Sequence, residues 1–218
     1  MGQVFACGLL DHQLGVDQII HLPEDLKTLT EQIREIWNEP REAAALEWTM
    51  RPSTSDGGKL VRHLLEQYSV TIDGPYEVSL RLTTKVLEVG VLSCTWHDFL
   101  TDPNTRERFR ETAQLIGRWL GAHRVLYVPN DKDKASIALD WFSDSESLDA
   151  IESKLLSVCG PPAASIPSIY RVPSPAERTA RAMGYKRNNP DTVWDTSELE
   201  DLYEETTDGY YVEPIVNG

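Results

Sequence analysis

The sequence predicts an α+β fold: a single domain with a mostly antiparallel sheet and several amphipathic helices packed on it. Residues 76–82 alternate apolar and polar side chains with period two, as a half-buried strand does. Residues 102–121 read as one amphipathic helix with clear ends, and the apolar run 124–129 follows. Strands before a helix and a strand after it are typical of α+β domains, and 218 residues suffice for one hydrophobic core.

The N-terminal quarter predicts a strand and then a helix. Residues 3–10 are an apolar, strand-like run. A helix is predicted to begin at Pro23, because proline and the acids after it suit a first helical turn, and its apolar stripe continues to Trp37. Residues 42–50 are consistent with either a short helix or a strand.

The next segment predicts a loop, a helix and a hairpin. Residues 53–58 (STSDGG) have the composition of a loop, and a helix follows with an apolar stripe of Leu60, Leu64 and Tyr68. Residues 69–72 can pair with the strand starting at Tyr76 through the turn Asp73-Gly74-Pro75.

A second strand of the sheet is expected over residues 87–96. Its apolar phase runs through Leu87, Val89 and Val91 and then switches to Leu92, Cys94 and Trp96. Burial of both faces would explain this switch, and so would a β-bulge near Gly90, which we favour.

The best-defined helix is bounded on both sides by its capping residues. Asp102 can accept hydrogen bonds at the N-cap, Pro103 suits the first helical position, and Gly121 can adopt the left-handed conformation that ends a helix. Its inward stripe is Phe109, Ala113, Ile116 and Leu120. Residues 124–129 (RVLYVP) then predict an interior strand.

The remaining chain predicts a hairpin and two further helices. Ile137, Leu139 and Trp141 alternate as an antiparallel partner strand would. Ser147 can cap a helix that ends at Gly160, and a capping box at residues 174–177 predicts a short helix to Gly184.

Charge is the sequence's most unusual property. The formal net charge is −14 with a pI near 4.7, which opposes nucleic-acid binding and favours a cationic partner. No Lys or Arg follows Arg187, so we divide the chain into an α+β body (1–187) and an acidic segment (188–218) that we expect to pack partly on the body. Nine acids lie in those last 31 residues: Asp191, Asp195, Glu198, Glu200, Asp201, Glu204, Glu205, Asp208 and Glu213.

Targeting signals are not evident in the sequence, so we expect a cytoplasmic protein. No apolar stretch approaches the ~20 residues of a membrane helix. The N-terminal apolar run is short for a secretory signal and lacks a basic region before it, and Ala6 stands where a myristoylation motif has Ser or Thr.

Catalytic, metal and cofactor motifs are weak throughout. Cys7, Cys94 and Cys159 are interpreted as reduced thiols in apolar runs. A Cys94/His97 thiol and base pair is the one enzymatic alternative, although the two side chains would point to opposite faces of a strand. The five histidines lack metal-ligand spacing, Asp131 and Asp133 make a poor calcium loop, and Gly57-Gly58-Lys59 lacks the phosphate-loop spacing. We expect no cofactor and no enzymatic activity.

The acidic segment has two interpretations. It can be a solvated surface that keeps the protein soluble, or an anionic surface with aromatic anchors that occupies a cationic cleft. On the second interpretation Trp194 and the tyrosines serve as anchors, and the partner-binding residues are Asp195, Glu198, Glu200, Asp201, Tyr203, Glu204, Glu205, Asp208, Tyr210 and Tyr211. A basic patch of Arg178, Arg181, Lys186 and Arg187 is an alternative surface.

The stretch from about residue 100 to 170 resembles the immunity protein 52 family of bacterial polymorphic-toxin systems. The matching positions are, in order, Trp119, Arg124, Leu126-Tyr127-Val128-Pro129, Asp140-Trp141, Ser147-Leu148, Ile151, Leu155 and Gly160-Pro161-Pro162. The resemblance implies a non-enzymatic α+β protein of the cytoplasm. It also implies that the protein binds and silences a cognate toxin, often a type VI secretion effector with a restriction-endonuclease-fold nuclease domain.

The resemblance and the charge lead to one hypothesis with two competitors. The hypothesis is an immunity protein that masks the basic active site of a nuclease toxin. One competitor is an acidic adaptor or regulatory protein that binds another basic protein. The other is a hydrolase that uses Cys94 and His97 or a carboxylate site.

Overall fold

Seven strands among the described residues form one sheet in which every neighbouring pair is antiparallel, in the order β2-β3-β4-β5-β1-β6-β7. The computed structural model describes residues 4–38, 47–51, 57–67, 69–130, 146–170 and 209–216. The strands are β1 (Phe5–Asp11), β2 (Thr49–Arg51), β3 (Val70–Asp73), β4 (Val78–Leu82), β5 (Val86–Thr95), β6 (Arg124–Pro129) and β7 (Tyr211–Pro214). The predicted α+β fold with a mostly antiparallel sheet is confirmed.

Six α-helices lie among the described residues. They are α1 (Val16–Leu26), α2 (Thr30–Trp37), α3 (Gly57–Gln67), α4 (Trp96–Thr101), α5 (Pro103–Leu120) and α6 (Leu148–Cys159), and short 3-10 turns cover Lys27–Leu29 and Ile166–Ser168. None of the helices in this part of the chain is long and apolar enough to cross a membrane.

The two faces of the sheet bury separate hydrophobic clusters. The larger cluster joins inward side chains of the sheet, such as Leu80, Val89 and Tyr127, to apolar residues of α1 to α5. The smaller one lies under α6 and includes Leu9, Leu126 and Ile151. Because strand side chains alternate between faces, the central strands β1 and β6 contribute to both clusters.

Strand β1 lies between β5 and β6, and its pairing with β5 is irregular. Phe5 pairs with Thr95 and Cys7 with Gly90, so two steps along β1 correspond to five along β5. The extra residues on β5 confirm the predicted bulge near Gly90. The predicted burial of Leu92 is wrong, since this side chain is 63% exposed.

Helix α5 has the predicted ends. The Asp102 side chain accepts hydrogen bonds from the backbone N–H groups of Asn104 (3.1 Å) and Thr105 (3.2 Å), and Gly121 has φ 71°. Helix α6 also begins as predicted, because the Ser147 hydroxyl accepts from the N–H of Ala150 (3.3 Å). In both helices local side-chain chemistry sets the boundary.

Helix α1 contradicts the prediction that a helix begins at Pro23. It begins at Val16, where the Gln18 side chain accepts from the N–H of Gly15 (2.8 Å), and Pro23 lies inside it. Proline in a helix interior removes one backbone hydrogen bond. Burial of Ile19, Leu22 and Leu26 in the larger cluster offsets that loss, which is a tertiary effect.

The β3–β4 hairpin is confirmed, but its second strand begins later than predicted. Tyr76 and Glu77 have φ values of 57° and 61°, so they belong to the turn and Val78 is the first strand residue. Gly74 is required there because a Cβ would lie 2.3 Å from the Trp48 ring. The indole N–H of Trp48 in turn donates to the Thr30 hydroxyl (3.1 Å).

Several other predictions are resolved in part. Helix α3 begins at Gly57, inside the predicted loop, and Thr49 and Met50 lie in β2, as the strand alternative for residues 42–50 requires. Residues 42–46, Tyr68, the strand around Leu139 and the helix at 174–184 lie outside the described residues. The basic patch Arg178, Arg181, Lys186 and Arg187 also lies outside them, as do Asp131 and Asp133.

Candidate functional site

The end of the acidic segment is built into the sheet as β7. It pairs antiparallel with β6, from Tyr127 opposite Tyr211 to Arg124 opposite Pro214. Ile215 continues the contact by donating its N–H to the His123 carbonyl (2.9 Å). Residues 209–216 of the acidic segment therefore pack on the body.

A half-buried ion pair connects β7 to α5. Arg110 donates from Nε to Glu213 Oε2 (3.0 Å) and from a second nitrogen to Oε1, and the Tyr127 hydroxyl donates to the same carboxylate (3.0 Å). The hydrogen bond from Arg110 to Glu213 raises the pKa of the arginine. Burial, together with Glu213, raises the pKa of Tyr127, which keeps its hydroxyl protonated as a donor.

Backbone and packing contacts complete this connection. The Gln114 side chain donates to the Pro214 carbonyl (3.0 Å) and accepts from the N–H of Val216 (3.3 Å). Ile215 occupies a notch over Gly117, where an added Cβ would lie 2.5 Å from Ile215 Cδ1. Charge, hydrogen bonds and close packing thus all hold β7 against α5.

The described residues just before position 171 lie next to those just after position 208. A Cβ on Gly209 would lie 2.9 Å from Ile169 Cγ2, and Ala163 donates its N–H to the Tyr210 carbonyl (2.9 Å). Ile169 and Gly209, which flank residues 171–208 in the chain, therefore lie in contact. Residues 171–208 are called the excursion below.

The excursion has opposite charges in its two parts. Residues 171–187 contain five Lys or Arg and one Glu, whereas residues 188–208 contain eight Asp or Glu and no Lys or Arg. The formal charge thus changes from +4 to −8 along it. Its acidic half is joined directly to β7.

The structure locates only two of the ten predicted partner-binding residues. Asp195, Glu198, Glu200, Asp201, Tyr203, Glu204, Glu205 and Asp208 lie outside the described residues, as does Trp194. Tyr210 is 1% exposed, so it cannot serve as the predicted surface anchor in this conformation. Tyr211 is half-buried and stacks on Tyr127, with ring centroids 6.1 Å apart. Glu213, one of the nine acids, is only 13% exposed and neutralised by Arg110.

The thiols lie in environments that disfavour nucleophilic chemistry. All three cysteines are reduced thiols, and Cys7 and Cys94 are buried. Burial, with Asp98 and Asp102 nearby, raises the pKa of Cys94 to about 12, so the reactive thiolate is scarce at neutral pH. His97 lies in the first turn of α4 and not on a strand, so the argument from opposite strand faces was wrong. Cys7 donates to Glu88 (3.4 Å), and burial raises its pKa strongly.

Two sets of ionic contacts lie at a polar pocket beside β1. The pocket has a volume of about 400 Å³ and lies where β1 and β6 meet the start of α6. Arg124 contacts Asp149 (2.5 Å) and Glu152 (2.8 Å), while Asp11 contacts His123 (3.1 Å). These contacts are structural, because they connect α6 and β6 to the end of β1.

His12 connects two turns at the edge of this pocket. Its Nε2 lies 3.0 Å from the Thr83 carbonyl, and its Nδ1 accepts from the N–H of Leu14 (3.2 Å). Burial lowers the pKa of His12. The neutral ring satisfies both contacts, with the proton on Nε2.

Comparisons with known proteins identify no relative. No family model, no curated protein and no solved structure matches the chain. Within the described ranges, no group of three or more His, Cys, Asp or Glu side chains is arranged to hold a metal ion. The candidate site is therefore the acidic excursion together with the β7 connection that holds its end.

Proposed function

We propose that this protein is an immunity protein that binds a cognate secreted toxin and neutralises it by masking the toxin's basic active site. The observation that carries the proposal is the run of eight acids and no basic residue over residues 188–208. The resemblance of residues 100–170 to the immunity protein 52 family supports it. The partner would be a nuclease, in keeping with the restriction-endonuclease-fold domain that the resemblance implies, and both would meet in the cytoplasm.

The electrostatic argument concerns the partner's active site. A nuclease cleft is built to accept phosphates, so its positive surface attracts a dense run of carboxylates as well. Complementary charge of this kind accelerates association and weakens with added salt. An inhibitor that uses it needs no catalytic group of its own.

The β7 connection supports the proposal through conformational entropy. Binding loses affinity when it must order a free segment, and restraining that segment beforehand reduces the loss. Here the residues that flank the excursion are held on both sides, Ile169 by its contact with Gly209 and Glu213 by its ion pair with Arg110.

Co-expression with a toxin encoded beside this chain tests the proposal. The wild-type chain should protect cells and co-purify with the toxin. Reversing Glu200, Asp201, Glu204 and Glu205 to Lys should slow association and reduce protection, and added salt should weaken wild-type binding. The matched control reverses four exposed acids of the body, namely Asp17, Glu24, Asp25 and Glu47. Full protection by the quadruple variant of the excursion would place the interface elsewhere.

The alternative function is an acidic adaptor or regulator of another basic protein. The same charge run favours it, because the run specifies a cationic partner without specifying a toxin. Affinity purification from the native host distinguishes the two functions. Recovery of a non-toxin partner with salt-sensitive binding, together with no protection against the neighbouring toxin, would favour the adaptor.

A further inference from the structure

A second surface with partner-binding chemistry lies between α2 and α5. This groove has a volume of about 580 Å³ and lies on the helical side of the sheet, away from α6. Helix α2 lines it at the spacing i, i+3, i+4 and helix α5 at i, i+4, i+7, so each helix presents one ridge. The lining residues are Gln32, Glu35, Ile36, Glu111, Leu115 and Arg118.

The groove is held in shape by a buried contact beneath it. The Trp37 indole N–H donates to the Thr112 hydroxyl (2.9 Å), and this hydroxyl donates to the Arg108 carbonyl (2.8 Å). Above that contact, Ile36 and Leu115 form an apolar floor, in which Ile36 is half-buried and Leu115 is 8% exposed. A ligand would therefore meet a preformed surface.

The walls of the groove carry two carboxylates outside the close ion pairs of their helices. Among the described residues, neither Glu35 nor Glu111 forms an ion pair. Their neighbours differ, because Glu31 pairs with Arg34 (2.8 Å) and Glu107 with Arg110 (2.7 Å). Both unpaired carboxylates are exposed and lie beside the apolar floor.

Arg118 is the one cation among the described residues that line the groove, and its position has a structural explanation. It lies in the last turn of α5, where a positive charge is favourable to the helix dipole. The helix dipole does not explain the two carboxylates of Glu35 and Glu111, which flank the apolar floor. Their complement is a surface with apolar groups in the middle and cations beside them.

We propose that the α2–α5 groove binds an amphipathic helix of a partner protein, with apolar side chains against Ile36 and Leu115 and Lys or Arg beside Glu35 and Glu111. Recognition of this kind places the apolar face of a helix in a hydrophobic groove. The assignment of that helix to the toxin rests on the proposed function. The preference of the groove for an amphipathic, cationic helix does not depend on that function. The groove shares no residue with the excursion, so substitutions in the two can be tested independently.

A synthetic probe tests the groove without the toxin. The probe is a fluorescein-labelled peptide of two LKKLLKL heptads, and the matched peptide replaces every Leu by Gln at unchanged charge. The full chain should bind the first peptide more tightly than the second. In spectra of the ¹⁵N-labelled chain, the largest amide shifts should fall on α2 and α5, including Ile36 and Leu115.

Matched charge reversals show whether the walls contribute. Glu35→Arg with Glu111→Arg should weaken binding of the amphipathic peptide by about tenfold or more, because the new arginines would face the lysines of the peptide. The control pair, Asp17→Arg with Asp25→Arg, changes the net charge of the protein by the same amount at exposed sites of α1. It should weaken peptide binding far less. Equal weakening by both pairs, or amide shifts confined to other elements, would overturn the inference. Groove-specific peptide binding by a chain that fails to protect against the toxin would overturn the proposed function alone.

Discussion

Replacing Glu213 tests the connection between the acidic excursion and the fold. Glu213→Gln keeps the shape of the side chain and removes its charge, so Arg110 loses the partner that holds β7 against α5. Removing one member of a buried ion pair destabilises a protein by ~3–5 kcal/mol. The pair is only partly buried, with side-chain exposures of 27% for Arg110 and 13% for Glu213, and Glu107 remains 2.7 Å from Arg110. We therefore expect a loss of about 2 kcal/mol.

The matched control is the other partner of the same arginine. Glu107 is 57% exposed, so Glu107→Gln should lower the free energy of unfolding by no more than ~0.5 kcal/mol. Urea unfolding of both variants measures the difference directly. The Glu213 variant should also melt about 4–8 °C below wild type, from the usual shift for a chain of this size.

Two results would refute this reasoning. If Glu213→Gln and Glu107→Gln destabilise the protein equally, the burial of Glu213 does not strengthen its ion pair with Arg110. If Glu213→Gln is as stable as wild type, β7 is held by its backbone pairing, by Gln114 and by Ile215 without a contribution from the ion pair. Hydrogen exchange over residues 209–216 separates local release of β7 from global unfolding.

Three further substitutions or conditions probe the described residues. Gly117→Val should displace Ile215, since even a Cβ would lie 2.5 Å from its Cδ1, and should accelerate amide exchange in β7 at a loss of ~1–3 kcal/mol. The pKa of His12 is lowered in the folded protein, so as the pH falls below about 6.5 the imidazole is protonated in the unfolded chain before it is protonated in the folded one. Stability should thus be full above that pH and decline as the pH falls towards the folded pKa, and His12→Gln should flatten this part of an unfolding profile. Cys94, with a pKa of about 12, should react with a thiol reagent at pH 8 far more slowly in the native than in the unfolded chain, and equal rates would contradict its burial.

Local sequence chemistry determined several elements of the fold. Asp102 and Gly121 set the ends of α5, Ser147 starts α6, and the Asp73-Gly74-Pro75 turn joins β3 to β4. The capping signals act between residues that are near in the chain, so they do not depend on what packs above them. The uneven distribution of acids was likewise evident from the sequence alone.

Long-range packing decided the elements that local chemistry contradicted. Pro23 lies inside α1 because the stripe of Ile19, Leu22 and Leu26 is buried in the larger cluster. The separation of Cys94 and His97 has a local cause instead, an N-cap that the sequence prediction overlooked: α4 begins at Trp96, where the Thr95 hydroxyl accepts a hydrogen bond from the N–H of Asp98 (3.0 Å).

The candidate site divides in the same way. Sequence by itself determined that residues 188–208 form an anionic run, because charge is a property of composition. Only the tertiary structure decided that Tyr210 is buried, that Glu213 pairs with Arg110, and that Gly209 returns to Ile169. Arg110 and Glu213 are 103 residues apart in the chain, and no local pattern encodes a contact at that separation.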